Sequence, residues 1–214
     1  MRLAILFDHF GPYHLARIRA AAATLEILAI EIRGRSREYG WEPATTTEVF
    51  ARETLFPDGA DTTVSPKELA ARLEMALTRF TPEVVAIPGW SGPASFLAMD
   101  WCIRRGVPAV VMSESTPHDE ARSVFRETIK RRYVGLASAG LVGGSSHRDY
   151  LKQLGMADFR IAEGYDAVDN QHFAVASSHW RNTDRPTPPY FLASARFIPK
   201  KNLFRLLEAY ADYA

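Results

Sequence analysis

Apolar residues follow two rhythms along the chain. Short continuous runs at 3–7, 27–32, 84–87, 109–112 and 141–142 read as strands, several too uniformly apolar to keep one face wet. Between them, 13–25, 66–80, 95–105, 117–137 and 146–154 repeat apolar positions at three- and four-residue steps, the spacing of one helical face. Strand–helix alternation of this kind predicts a doubly wound α/β domain, a parallel sheet with helices on both faces and right-handed crossovers. Punctuation agrees: Gly11-Pro12 precedes the first helix, Thr116-Pro117 opens another, and Gly155 stops the one before it. The stretch 33–61 has no clear rhythm; within it "TTTEVFA" reads as a strand amid polar loop.

The last forty residues differ. "SSHWRNTDRPTPP", 177–189, lacks periodicity and ends in clustered prolines, the composition of a linker. "YFLASA", 190–195, has strand character, and 202–213 places apolar residues on one helical face. A lone strand–loop–helix cannot bury both faces of its strand, so it completes an earlier sheet or opens a second domain. The predicted organisation is a domain over 1–176, a linker over 177–189, and the first unit of a further domain over 190–214, which in the chain alone either pairs with another copy, giving self-association, or folds back on the first domain.

Of 214 residues, 47% are apolar, enough for a substantial core, and 26 basic against 25 acidic side chains give a formal charge of +1. No overall field attracts nucleic acid or an anionic membrane, which leaves a local patch such as "KRRY", 130–133, as solvated face or lipid contact. Cys102 is the single cysteine, excluding an internal disulfide and a cysteine-built zinc site. Asp8 and His9 interrupt the opening apolar run, and "TLEILAIEI" carries two glutamates, so no signal peptide or membrane span is expected. The expected location is cytoplasmic, with peripheral membrane contact as a variant.

In a parallel sheet, ligands bind beyond the carboxyl ends of the strands. The first such loop, "FDHFGPYHLARI", has one glycine where a dinucleotide fingerprint needs three, so no cofactor of that class is expected. Gly11 and His14 there are substrate-contact candidates, or only a turn and helix start. "PGWSGP" fails as a nucleophile elbow because Pro93 stands where glycine is required, and the histidines show no metal-ligand spacing. "SESTPHDEARS" gathers Glu114, His118 and Asp119 at a predicted helix start, where free amides and the dipole favour a neutral imidazole and an anionic ligand; the alternative is a solvated helix start. Arg196 and Lys201 flank the terminal loop, a fork and a point charge beside a helix start, suited to a diphosphate or simply solvated.

Together these residues resemble glycosyltransferase family four, retaining enzymes with two facing Rossmann-like domains. "ASARFIPKKNLFRLLEAYA" is similar to the family's first strand–loop–helix of the C-terminal domain, "GRL" followed by a lysine and "G-x-x-x-L-L-x-A"; Ala195 and Asn202 stand where the family has glycine. "AEGYDAVDNQHF" is similar to its "NGVD-x-x-x-F" segment, and "STPHDEAR" to its histidine-bearing loop. The resemblance implies that Arg196 and Lys201 bind the donor diphosphate, that His118 approaches the donor sugar, and that the partners are a nucleotide-sugar donor and a saccharide, lipid-linked or small-molecule acceptor. It implies sugar transfer by the intact protein, with the family's E-x7-E carboxylates beyond Ala214 and this chain inactive alone. A nucleotide-sugar 2-epimerase of the same architecture and a non-catalytic small-ligand module are the alternatives.

Overall fold

The computed structural model describes residues 1–35, 48–58, 64–119, 123–181 and 190–213, which form two compact units, Met1–Asp169 and Asn170–Ala214. The first unit holds β1 (Arg2–Phe7), α1 (Pro12–Ala22), β2 (Glu26–Arg33), β3 (Ala51–Phe56), α2 (Pro66–Phe80), β4 (Val84–Pro88), α3 (Pro93–Arg105), β5 (Ala109–Ser113), α4 (Val124–Leu136), β6 (Ala139–Val142), α5 (Ser145–Gln153) and β7 (Ile161–Glu163). All seven strands are parallel in the order β3-β2-β1-β4-β5-β6-β7, the doubly wound arrangement with an added edge strand.

Alternation along each strand assigns the two faces. In β1, Ala4 and Leu6 point into a core shared with Leu73 and Leu77 of α2, Trp101 of α3, Val134 of α4 and Leu151 of α5. Leu3, Ile5 and Phe7 point the other way, onto Leu15 and Ile18 of α1. The six consecutive buried positions of β2 are the imprint of that two-sided cover. Gly155, at φ 100°, ends α5 in a backbone region that costs a side-chain-bearing residue about 1–2 kcal/mol.

Where prediction and structure part, the edges are responsible. The strand in the unclear stretch is Ala51–Phe56, largely beyond "TTTEVFA", of which 45–47 lie outside the described residues. Both it and the three-residue β7 are edge strands among the described residues, half covered and too mixed or too short to make an apolar run. The helix expected over 117–137 begins only at Val124. Its first residues instead close a turn in which Asp119 accepts from the Thr116 amide and hydroxyl at 2.7 and 2.9 Å, a side-chain bond that competes with helix.

In the second unit, α6 (Asn170–Arg181) runs through the first residues of the expected linker, and the rest of that linker, 182–189, lies outside the described residues. The segment 190–195 is irregular rather than a strand: no neighbour offers it a ladder among the described residues, and Phe191 sets its ring edge-on against Tyr210 and Tyr213 of α7 (Leu203–Tyr213). No described helix is long and apolar enough to cross a membrane.

Candidate functional site

The strand order reverses between β1 and β4, so the loop after β1 borders the crevice where ligands of such sheets bind. A buried acid holds that loop. Glu31 of β2 is 0% exposed; one carboxylate oxygen accepts from the Phe10 amide at 2.7 Å and lies 3.1 Å from His9 Nδ1, while the other accepts from Arg52 at 2.8 Å and the Thr54 hydroxyl at 2.9 Å. A carboxylate can stay charged in a core only with this degree of pairing and hydrogen bonding. The next amide, Gly11, donates to His14 Nδ1 at 2.9 Å. The amides of Phe10 and Gly11, which a phosphate-binding loop would present to its ligand, are thus engaged by side chains of the chain itself.

His14 carries the property expected of His118. Burial lowers its pKa to about 4, with the Arg17 charge adding to the effect and Glu31 opposing it, so the imidazole is neutral. Because Nδ1 accepts from Gly11, the ring proton resides on Nε2. The ring packs 4.3 Å from that of Phe7.

A second acidic centre lies at the ends of β5, β6 and β7. After β7 the chain folds back: the Tyr165 amide donates to Val142 at 3.0 Å, and its ring stacks over Phe7 of β1 at 6.4 Å. Arg17 of α1 secures this return, donating to the Tyr165 carbonyl, lying 4.7 Å above its ring and placing Nη1 3.9 Å from Asp166. Asp166 lies close enough to Glu114, the first residue after β5, to act on its carboxyl. Gly143 makes room for it, since a Cβ there would sit 2.1 Å from Asp166 Oδ2. Desolvation first, then the bond and charge of Asp166, raise the Glu114 carboxyl to about 7, against a smaller pull from Arg17. Glu114 can therefore hold its proton near neutrality beside the Asp166 carboxyl.

Of the sequence-predicted residues, Gly11, His14 and Glu114 gather around Arg17, whose charge acts on both His14 and Glu114. His118 is exposed in the separate Thr116–Asp119 turn and not on a helix, so the dipole argument for it lapses, and Asp119 serves that turn. Arg196 and Lys201 belong to the second unit, both exposed, with the Pro199–Lys201 helical turn leading to Asn202. Asn202 adopts φ 46°, and asparagine tolerates this left-handed backbone better than any other residue bearing a Cβ, so the turn forms without a glycine. Glu31, Arg17, Gly143 and Asp166 were not singled out from sequence. Only Asp166 had a signal, its place in the "GYD" segment. Among the described residues no group of three or more His, Cys, Asp or Glu side chains is placed to hold a metal ion.

No protein-family model matches the chain, and no curated protein does. Among solved structures, the chain is similar to UDP-N-acetylglucosamine 2-epimerase from Rickettsia bellii, with a TM-score of 0.54 and 12% identity over 86% of this chain and 49% of that one. It is also similar to UDP-GlcNAc 2-epimerase from Methanocaldococcus jannaschii, with a TM-score of 0.50 and 11% identity over 75% of this chain and 44% of that one. A sucrose-phosphate synthase structure from Thermosynechococcus elongatus aligns at 10% identity over 85% of this chain and 96% of that one, with a TM-score of 0.49. The chain thus spans less than half the length of the two epimerases. At such identities the likeness is one of fold, and the fold is a Rossmann-like α/β domain, a seven-stranded parallel sheet with helices on both faces.

Proposed function

We propose that the intact protein acts on a nucleotide sugar and transfers the sugar, with retention, to an acceptor hydroxyl, this chain supplying the acceptor side and the first unit of the donor-binding domain. The observation that carries the reading is the terminal turn, where Arg196 and Lys201 flank a tight bend into α7 and Asn202 takes the left-handed backbone that the family's glycine would. Two fixed cations beside a helix start would stabilise the charge that develops on a departing diphosphate. His118 would orient the sugar by hydrogen bonding.

The paired carboxyls favour a second reading, a nucleotide-sugar 2-epimerase. Inverting a sugar carbon requires a group that removes a proton and one that returns it, and Glu114, which holds its proton to about pH 7, stands beside a second carboxyl, Asp166. One assay separates the readings: the intact protein incubated with a panel of nucleotide sugars in deuterated water, with and without acceptor extract. Acceptor-dependent release of nucleoside diphosphate supports transfer; a C2 isomer labelled with deuterium supports epimerisation; binding without turnover supports a ligand-binding module. Under the transfer reading, Arg196→Ala lowers kcat/KM by about 2–4 kcal/mol of transition-state stabilisation and leaves the melting temperature unchanged. Wild-type kinetics in that variant would remove the diphosphate assignment.

A further inference from the structure

The four residues "KRRY" on α4 do not act as one basic patch. Lys130 turns inward, donating to Glu127 at 3.2 Å and the Tyr150 hydroxyl at 3.0 Å, and Tyr133 is buried with its hydroxyl donating to the Ser95 carbonyl. Arg131 and Arg132 point outward and have no ion-pair partner among the described residues. The arginines of α2, α3 and α5 contrast with them: Arg72, Arg104 and Arg148 each bind an acid on their own or a neighbouring element. The acid of α4 itself, Glu127, accepts from Tyr150 on its inner side.

The apolar residues of α4 are also unusually placed. Phe125 is 74% exposed, Ile129 42% and Leu136 53%, and with Arg132 they fall at steps of four, three and four residues, a single outward stripe. Phe96 of α3, 45% exposed, extends it, packing edge-on against Tyr133 at 5.2 Å. Aromatic and aliphatic side chains in line with Arg132, with Arg131 exposed at the flank of the stripe and the helix's acid turned away, form a surface of defined chemistry. The apolar groups gain from leaving water, and the guanidinium groups gain from anionic headgroups at the same depth. We propose that the outer face of α4 docks on an anionic lipid bilayer, the helix lying in the plane of the interface.

The test is co-sedimentation of the full chain with vesicles of phosphatidylcholine alone and of phosphatidylcholine with about 30% phosphatidylglycerol. Binding is expected only to the anionic vesicles and to fade as salt shortens the screening length. Replacing both Arg131 and Arg132 by Ser should weaken it about 30-fold, from roughly fivefold for each basic side chain at such a surface. Phe125→Ser should weaken it about tenfold, with no change in melting temperature because the residue is already exposed. Equal binding to neutral vesicles, no binding to either, or variants that bind like wild type would overturn the proposal. A fall in self-association in Phe125→Ser, read by light scattering, would overturn it in favour of a second copy of the chain.

Discussion

Glu31, on β2, and Glu114, the first residue after β5, both lie near the carboxyl edge of one parallel sheet, yet the fold treats them in opposite ways. Glu31 is enclosed, with its oxygens accepting from an amide, a guanidinium and a hydroxyl. Glu114 stays open to solvent, faces another acid and holds its proton to about pH 7. Burial with donors makes an acid architectural, whereas partial desolvation beside a like charge makes it available for chemistry. The sheet therefore divides its crevice, with the β1–β3 side holding the loop in shape and the β5–β7 side carrying an acid that keeps its proton to about pH 7.

Substitutions at each centre should separate the two behaviours. Glu31→Ala removes the buried acceptor of the Phe10 amide, the Thr54 hydroxyl and an Arg52 guanidinium bond, so a stability loss of about 3–5 kcal/mol is expected in denaturant unfolding; a loss below about 1 kcal/mol would mean that the network is incidental. Glu114→Gln should behave oppositely. The Glu114 pKa is higher folded than unfolded, so its contribution to stability is full at low pH and lost as pH rises from about 4.5 through 7. The variant should gain on wild type in melting temperature across that window. If the carboxyl pair is the proton carrier, its turnover should fall about 100-fold.

Gly143→Ala sharpens the comparison without touching an ionisable group. The new Cβ displaces the Asp166 carboxylate, and the Glu114 titration, followed by carboxyl carbon-13 NMR, should move down toward 4.5. An unmoved titration would show that Asp166 is not the partner. The smallest effect belongs to His14. Its depressed pKa makes the protein less stable as pH falls from 6.5 toward 4, where the unfolded chain takes up a proton that the folded ring refuses. His14→Ala should cost about 1 kcal/mol at pH 7, through the lost acceptor for Gly11, and have a shallower acid decline in thermal melts.

The fold class was legible because a two-sided sheet writes continuous apolar runs, as in β2, and α2 was placed over its full length by its periodicity. The edge strands β3 and β7 were not, since a half-wet strand has no run to read. Of the site, Glu114 and His14 were found from their places after strands. Their roles were not, because those depend on partners contributed by distant segments. Arg17 acquires its meaning only when Tyr165 and Asp166 return over the sheet, and Glu31 looked merely like a charge that disfavoured a membrane span. His118 drew attention through a proline and a helix pattern, which the Thr116–Asp119 turn displaced.

Gly143 has a consequence for how this sequence can drift. The carboxyl pair exists only if position 114 presents an acid, position 166 presents another, and position 143 leaves the space of a missing Cβ between strand end and returning loop. A side chain gained at 143 expels the acid at 166, and once that acid is gone the glycine has no further constraint from this site. Among descendants of this chain the three positions should thus be inherited or abandoned together, so that substitution at one foretells substitution at the others.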